Sequence, residues 1–168
     1  MLFPQHLLEQ AKHLASRETK RPRQASLRRA VSTAYYALFH LLIHEATLNW
    51  KRAEQRALLA RFFEHGKMKA ASERQWRECN RYVNSDPPPS PGPALDFMIK
   101  LGRVANAFVE AQQFRHAADY DNSRTWRLTE VTEMIDRIKD AFQSRHAIRD
   151  EDAAQAFLIS LLGTLRGA

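Results

Sequence analysis

The sequence predicts an all-α protein. Three observations carry that expectation. Helix breakers are scarce: 5 glycines and 7 prolines in 168 residues, with most of the prolines in one loop. Alanine, leucine, arginine and glutamate, all good helix formers, are abundant. Apolar residues recur at the three-and-four spacing of a helix face, and no alternating strand run occurs.

The elements follow in order. A first helix is expected over about residues 5–16, with Leu7, Leu8, Ala11, Leu14 and Ala15 on one side. A basic connector, "RETKRPRQASLRR" at 17–29, holds Arg17, Lys20, Arg21, Arg23, Arg28 and Arg29 against a single Glu18. It fits a solvated linker first, a phosphate-contacting patch second and a localisation signal third. The second helix, about 23–50, is apolar almost all round from Ala34 to Ile43. Such a helix is buried on every side. A small domain rarely achieves that alone, so part of this helix is expected to meet a second subunit, most simply in a symmetric dimer.

A third segment, "KRAEQRALLARFFEH", stacks Leu58, Leu59, Phe62 and Phe63 on one face, and Gly66 reads as its stop. The following "KMKAASERQWRECNRYV" is a mixed helix whose Arg74, Arg77 and Arg81 alternate with Glu73 and Glu78, a solvated, ion-paired face. "NSDPPPSPGP" at 84–93 must be a stiff loop, because proline removes donors and restricts its neighbours. It is too short to separate domains, so residues 1–168 are expected to form one. A long helix runs from about Pro93 to Arg115, another from about 127 to 146, and a last one from about 150 to 166. Asp150, Glu151 and Asp152 suit the positive end of that last helix.

Composition narrows the function. Lys and Arg number 26 against 19 Asp and Glu, a formal charge of +7, which favours anionic partners with nucleic acid first. The single cysteine, Cys79, allows neither an internal disulfide nor a cysteine-based zinc set. No signal peptide opens the chain, and the apolar run Ala34–Ile43 is too short to span a bilayer. The expectation is a cytoplasmic protein. Glycine-rich phosphate loops and Gly-x-Ser-x-Gly turns are absent from the sequence.

Two constellations remain. His40 and His44 share a helix face, as a metal pair requires, but no third ligand is evident. A core histidine beside an edge histidine is the simpler account, and no metal or other cofactor is expected. The second constellation is "QFRHAADYDN" at 113–122. Arg115 keeps its charge and suits a phosphate. His116 exchanges protons near neutral pH. Asp119 and Asp121 can orient either residue. A base, an acid and a cation suffice for phosphate chemistry on RNA. The same residues also suit a helix end, with the cation on the dipole and an aspartate capping the next segment. Tyr35 and Tyr36 diverge by about 100° on their helix, so one should enter the core while the other faces a partner subunit or this site.

Taken in order, "SLRRAVSTAYYALFHLLI", the turn "FEHGKM", a long helix, "FRHAADYD" and a closing helix resemble the HEPN superfamily (higher-eukaryote and prokaryote nucleotide-binding) over about residues 20–146. The likeness is to small bacterial members with Tyr-Tyr-Ala-x-Phe-His and Arg-x-x-Ala-Asp-Tyr segments. It implies an up-and-down bundle of about five to six helices that forms a homodimer. Members include metal-independent endoribonucleases of toxin–antitoxin and defence systems, often encoded beside a nucleotidyltransferase-type antitoxin, and inactive versions that bind RNA or a partner. In active members an arginine, followed about four to six residues later by a histidine, faces its copy across the dimer. Arg115 matches that arginine. At the histidine's spacing stand Tyr120, Asp121 and Asn122, and Arg61 and His65 are one residue too close together. The resemblance therefore implies RNA binding and cleavage at a composite site. Arg115, His116, Asp119 and Tyr120 would form its centre, Tyr36 and His40 its lining, and Arg21, Arg23, Arg28 and Arg29 would contact phosphates. The alternative it leaves open is a non-catalytic dimerisation or partner-binding module with a degenerate site.

Overall fold

The computed structural model describes residues 2–18 and 20–163. It contains seven α-helices and, among the described residues, no strand: α1 (Phe3–Ser16), α2 (Gln24–Leu48), α3 (Arg56–Ala60), α4 (His65–Val83), α5 (Pro93–Tyr120), α6 (Leu128–Ala147) and α7 (Asp152–Ser160). A 3-10 turn, Ala53–Gln55, precedes α3. The count exceeds five or six because α3 and α7 are short, separate helices. No helix among the described residues is long and apolar enough to cross a membrane.

The all-round apolar pattern of α2 makes it the axis of the bundle. It packs against α1, α3, α5, α6 and α7, while α4 lies along α5. Ala34, Tyr35, Ala37, Leu38, Phe39, Leu41, Leu42 and Ile43 are all buried by their own chain. The apolar surround of α2 is thus met within the chain and by itself argues neither for nor against a second subunit. Seven helices supply enough surface to enclose one. Where α4 and α5 meet, a side chain at Gly102 would place its Cβ 3.0 Å from Cys79 Cβ. Glycine there lets the two backbones approach closely.

Two local expectations are corrected. Leu58, Leu59, Phe62 and Phe63 do not share one buried face. The helix carrying the first two is five residues long, and the chain then turns, so Phe63 enters the core while Leu58 and Phe62 stay 60% and 62% exposed. Nor does Gly66 stop a helix: it lies in the first turn of α4. The break is made by the extended backbone of Glu64 (φ −114°, ψ 134°). The solvated face of α4 is as expected at Arg74, Arg77 and Arg81, which are exposed. Its ion pair, however, is Lys69–Glu73 at 3.5 Å. The proline stretch is a loop, with Pro93 opening α5. That helix continues to Tyr120, which puts "QFRHAADY" inside its last two turns. The last helix, expected to reach about 166, ends instead at Ser160, where the chain turns through 161–162; residues 164–166 lie outside the described residues.

Candidate functional site

One stripe of α2, spaced at helical repeats, carries Ser32, Tyr35, Tyr36, Phe39 and His40. The last turns of α5 bring Arg115 and Asp119 to that stripe, one helical turn apart. The first residue of α4, His65, closes the group from another side.

Arg115 is the hub. Its Nε stands 2.7 Å from Asp119 Oδ2 as an ion pair, and its Nη2 donates to the Tyr36 hydroxyl at 3.2 Å. Its Cζ lies 5.9, 5.7 and 5.8 Å from the ring centres of Tyr35, Tyr36 and Tyr120. A guanidinium among three aromatic rings is held by their quadrupoles as well as by charge. Burial alone would lower its pKa, but Tyr36, Asp119, Tyr120 and Tyr35 together raise it. The other oxygen of Asp119 accepts from Ser32 Oγ at 2.5 Å, tying the end of α5 to α2.

The two tyrosines divide as expected: Tyr35 is fully buried and Tyr36 reaches the site. The Tyr35 hydroxyl meets His65 Nδ1 at 2.5 Å. Burial pushes that phenol far above its usual value, so it keeps its proton. Burial, then Arg115, then His40 push His65 below the usual histidine value, so the imidazole is neutral. A neutral ring facing a phenol O–H accepts at Nδ1 and carries its own hydrogen at Nε2. The ring also stacks on Phe39, with centroids 4.3 Å apart. His40 lies edge-on to Phe3 at 5.1 Å and near Tyr36 at 6.2 Å.

The residues expected from sequence divide between this cluster and other roles. Arg115, Asp119, Tyr120 and Tyr36 are in it, and His40 lies at its margin. His116 points to solvent and stacks on Tyr120 at 5.0 Å, away from Arg115, because successive helical side chains diverge. Arg28 donates to the carbonyl oxygens of Ala118 and Arg124 at 2.9 and 2.6 Å, so it caps the end of α5. Arg21, Arg23 and Arg29 are exposed. Asp121 accepts from the backbone and hydroxyl of Ser123, which closes a local turn after α5 and caps no helix. No group of three or more metal-ligating side chains forms among the described residues. Sequence reasoning missed His65 and Ser32 as site residues. The turn "FEHGKM", with the near-motif pair Arg61 and His65, and the serine before the tyrosine pair were their signals, and none of these says what lies across the fold.

The neutral state of His65 has a consequence for stability. A free histidine titrates near about 6.5. The folded value lies lower, so between the two the unfolded chain binds more protons. This contribution is complete above about pH 6.5 and is lost as the pH falls through the folded value. Burial acts on His40 in the same direction. Melting temperature is therefore expected to fall with pH in this window, and less steeply in a His40→Gln/His65→Gln double variant. An equal slope in the double variant would assign the titration to other groups.

No family model matches the chain, and neither a curated protein nor a solved structure shows significant similarity to it.

Proposed function

We propose that this chain is an RNA-binding protein of the HEPN type that cleaves RNA without a metal at the Arg115 cluster. Two copies would pair with these clusters facing. The observation that supports the reading most is His65. It supplies, from the start of α4, the histidine that the sequence after Arg115 lacks, and it shares the Tyr35 ring with Arg115. Arg115 would bind the scissile phosphate and offset the charge that builds on it. The Asp119 carboxylate would take the proton of the ribose 2′-hydroxyl as its oxygen attacks phosphorus. The neutral His65 ring would donate a hydrogen bond from Nε2–H to the departing 5′-oxygen, which takes its proton from the Asp119 carboxyl group by way of water. The products are a 2′,3′-cyclic phosphate and a 5′-hydroxyl end. Tyr120, 65% exposed, and His116 beside it offer a surface for the second copy or for a base to stack on.

The test is incubation of total RNA with the protein in EDTA, with end-group analysis, beside Arg115→Ala. Wild type is expected to produce cyclic-phosphate ends and the variant none, with helical content unchanged. Wild-type cleavage that persists in Arg115→Ala would place the chemistry elsewhere. A non-catalytic module is the second reading, favoured by the Ser32–Asp119–Arg115 chain that stitches α5 to α2. In that case wild type leaves RNA intact. Arg115→Ala then lowers the melting temperature, because Asp119 is left without its cation.

A further inference from the structure

A second basic site lies at the other end of α2, where it meets α6 and the start of α1. A cavity of about 480 Å³ opens there, lined by Gln5, His44, Glu45, Arg145, His146 and Arg149 together with apolar side chains. Its volume is that of a small-ligand pocket. Arg145 is 2% exposed, yet its Nε, Nη1 and Nη2 make no hydrogen bond among the described residues. Burial lowers its pKa, but an arginine stays charged. Gln5 Oε1 is likewise buried without a partner.

The neighbouring charges do not satisfy Arg145. Glu45 stands between two guanidinium groups, 3.5 Å from Arg145 Nη2 and 3.5 Å from Arg149 Nη2. Close charge-assisted pairs sit at about 2.7–2.9 Å. Asp150 adds a carboxylate nearby, but it is exposed and screened by solvent. A buried guanidinium with idle donors is costly. Its planar fork matches a tetrahedral oxyanion, and Arg149 and the two histidines at the wall can add donors.

We propose that this cavity binds a phosphate group, held chiefly by Arg145 and Arg149. The phosphate is either free or the head of a small phosphate ester whose body rests on the apolar wall formed by Leu41, Leu48 and Phe142. The site is separate from the Arg115 cluster and stands whether or not that cluster cleaves RNA.

Calorimetric titration and thermal melting of the full chain with inorganic phosphate, adenosine monophosphate and adenosine test it. Phosphate is expected to bind and to raise the melting temperature. Arg149→Ala should weaken it about tenfold or more. Glu45→Gln should tighten it, because the competing carboxylate is gone. Arg145→Met, an apolar replacement of similar length, should abolish it. If that variant fails to fold, Arg149→Ala and Glu45→Gln decide the matter. Arg115→Ala should bind as wild type does. Tighter binding of the monophosphate than of phosphate, with none of adenosine, would mark an ester site; equal binding of the two would mark a free-phosphate site. Absence of heat and of a melting shift at about 10 mM phosphate would overturn the proposal, given the millimolar affinity expected of even a weak site. So would binding that Arg115→Ala removes and Arg149→Ala leaves intact.

Discussion

Replacing His65 with alanine is expected to reduce RNA cleavage by about a hundredfold to a thousandfold, the range for removing one positioned hydrogen-bond donor to a developing oxyanion. RNA affinity should change little, because Arg115, which binds the phosphate in this reading, remains. The loss should therefore fall on kcat rather than KM. Tyr35→Phe gives the graded control. It keeps the buried ring against Phe108, 5.6 Å away, and deletes only the hydroxyl that faces His65 Nδ1. The imidazole then has no partner to fix which nitrogen carries its hydrogen, so activity should drop by less than in His65→Ala. The two effects should not add in the double variant, since both act through one ring. Wild-type cleavage by His65→Ala would remove His65 from the chemistry. His116→Ala would then be the variant to compare, since His116 is the histidine next to Arg115 in sequence.

The way the site is assembled explains why it was only half legible. Contacts within one helix turn could be read directly. Arg115 and Asp119 are four apart on α5, and their ion pair follows from helical geometry. The divergence of Tyr35 and Tyr36 follows from the same rule, as does the exposure of His116 away from Arg115. His65 is thirty residues from Tyr35 and fifty from Arg115, in a turn with no periodic signal of its own. Its place depends on how α4 docks on α5, and no local pattern encodes that. The apolar surround of α2 carries no information about a second subunit for a related reason. An apolar circumference says that a helix is covered, but not by whose residues. Here α1, α5, α6 and α7 of the same chain do the covering. Arg28 shows the limit of reading charge runs. Its position among basic residues suggested a phosphate, whereas the fold gives it two carbonyl oxygens. The idle hydrogen-bond donors of Arg145 had no signal at all in sequence, since it looks like any basic residue in the last turn of a helix.

The largest loss of stability is expected from Trp126→Ala, at about 3–5 kcal/mol, the usual cost of deleting a buried aromatic ring. Folded domains hold only about 5–15 kcal/mol in reserve, so the variant should be close to unfolding at moderate urea. Trp126 is 2% exposed although it lies in the loop between α5 and α6. Its ring meets Phe114 edge-on at 5.6 Å and lies 4.0 Å from Arg124 Cζ. Its backbone is clamped at both ends by one side chain: the N–H donates to Gln24 Oε1 and the carbonyl oxygen accepts from Gln24 Nε2, each at 2.8 Å. The loop is thus pinned to the first residue of α2, and through Arg28 to the last turn of α5. Loss of the ring should loosen that turn, which carries Asp119 and Tyr120. Two controls separate packing from the clamp. Trp126→Phe keeps most of the ring and removes an indole N–H that has no partner, so it should cost far less. Gln24→Ala removes two hydrogen bonds but no core, so about 1–3 kcal/mol is expected. Urea unfolding followed by circular dichroism measures all three. If Trp126→Ala proves no worse than Gln24→Ala, the clamp rather than the ring holds the loop. The end of α5 would then owe its position to hydrogen bonds at the start of α2.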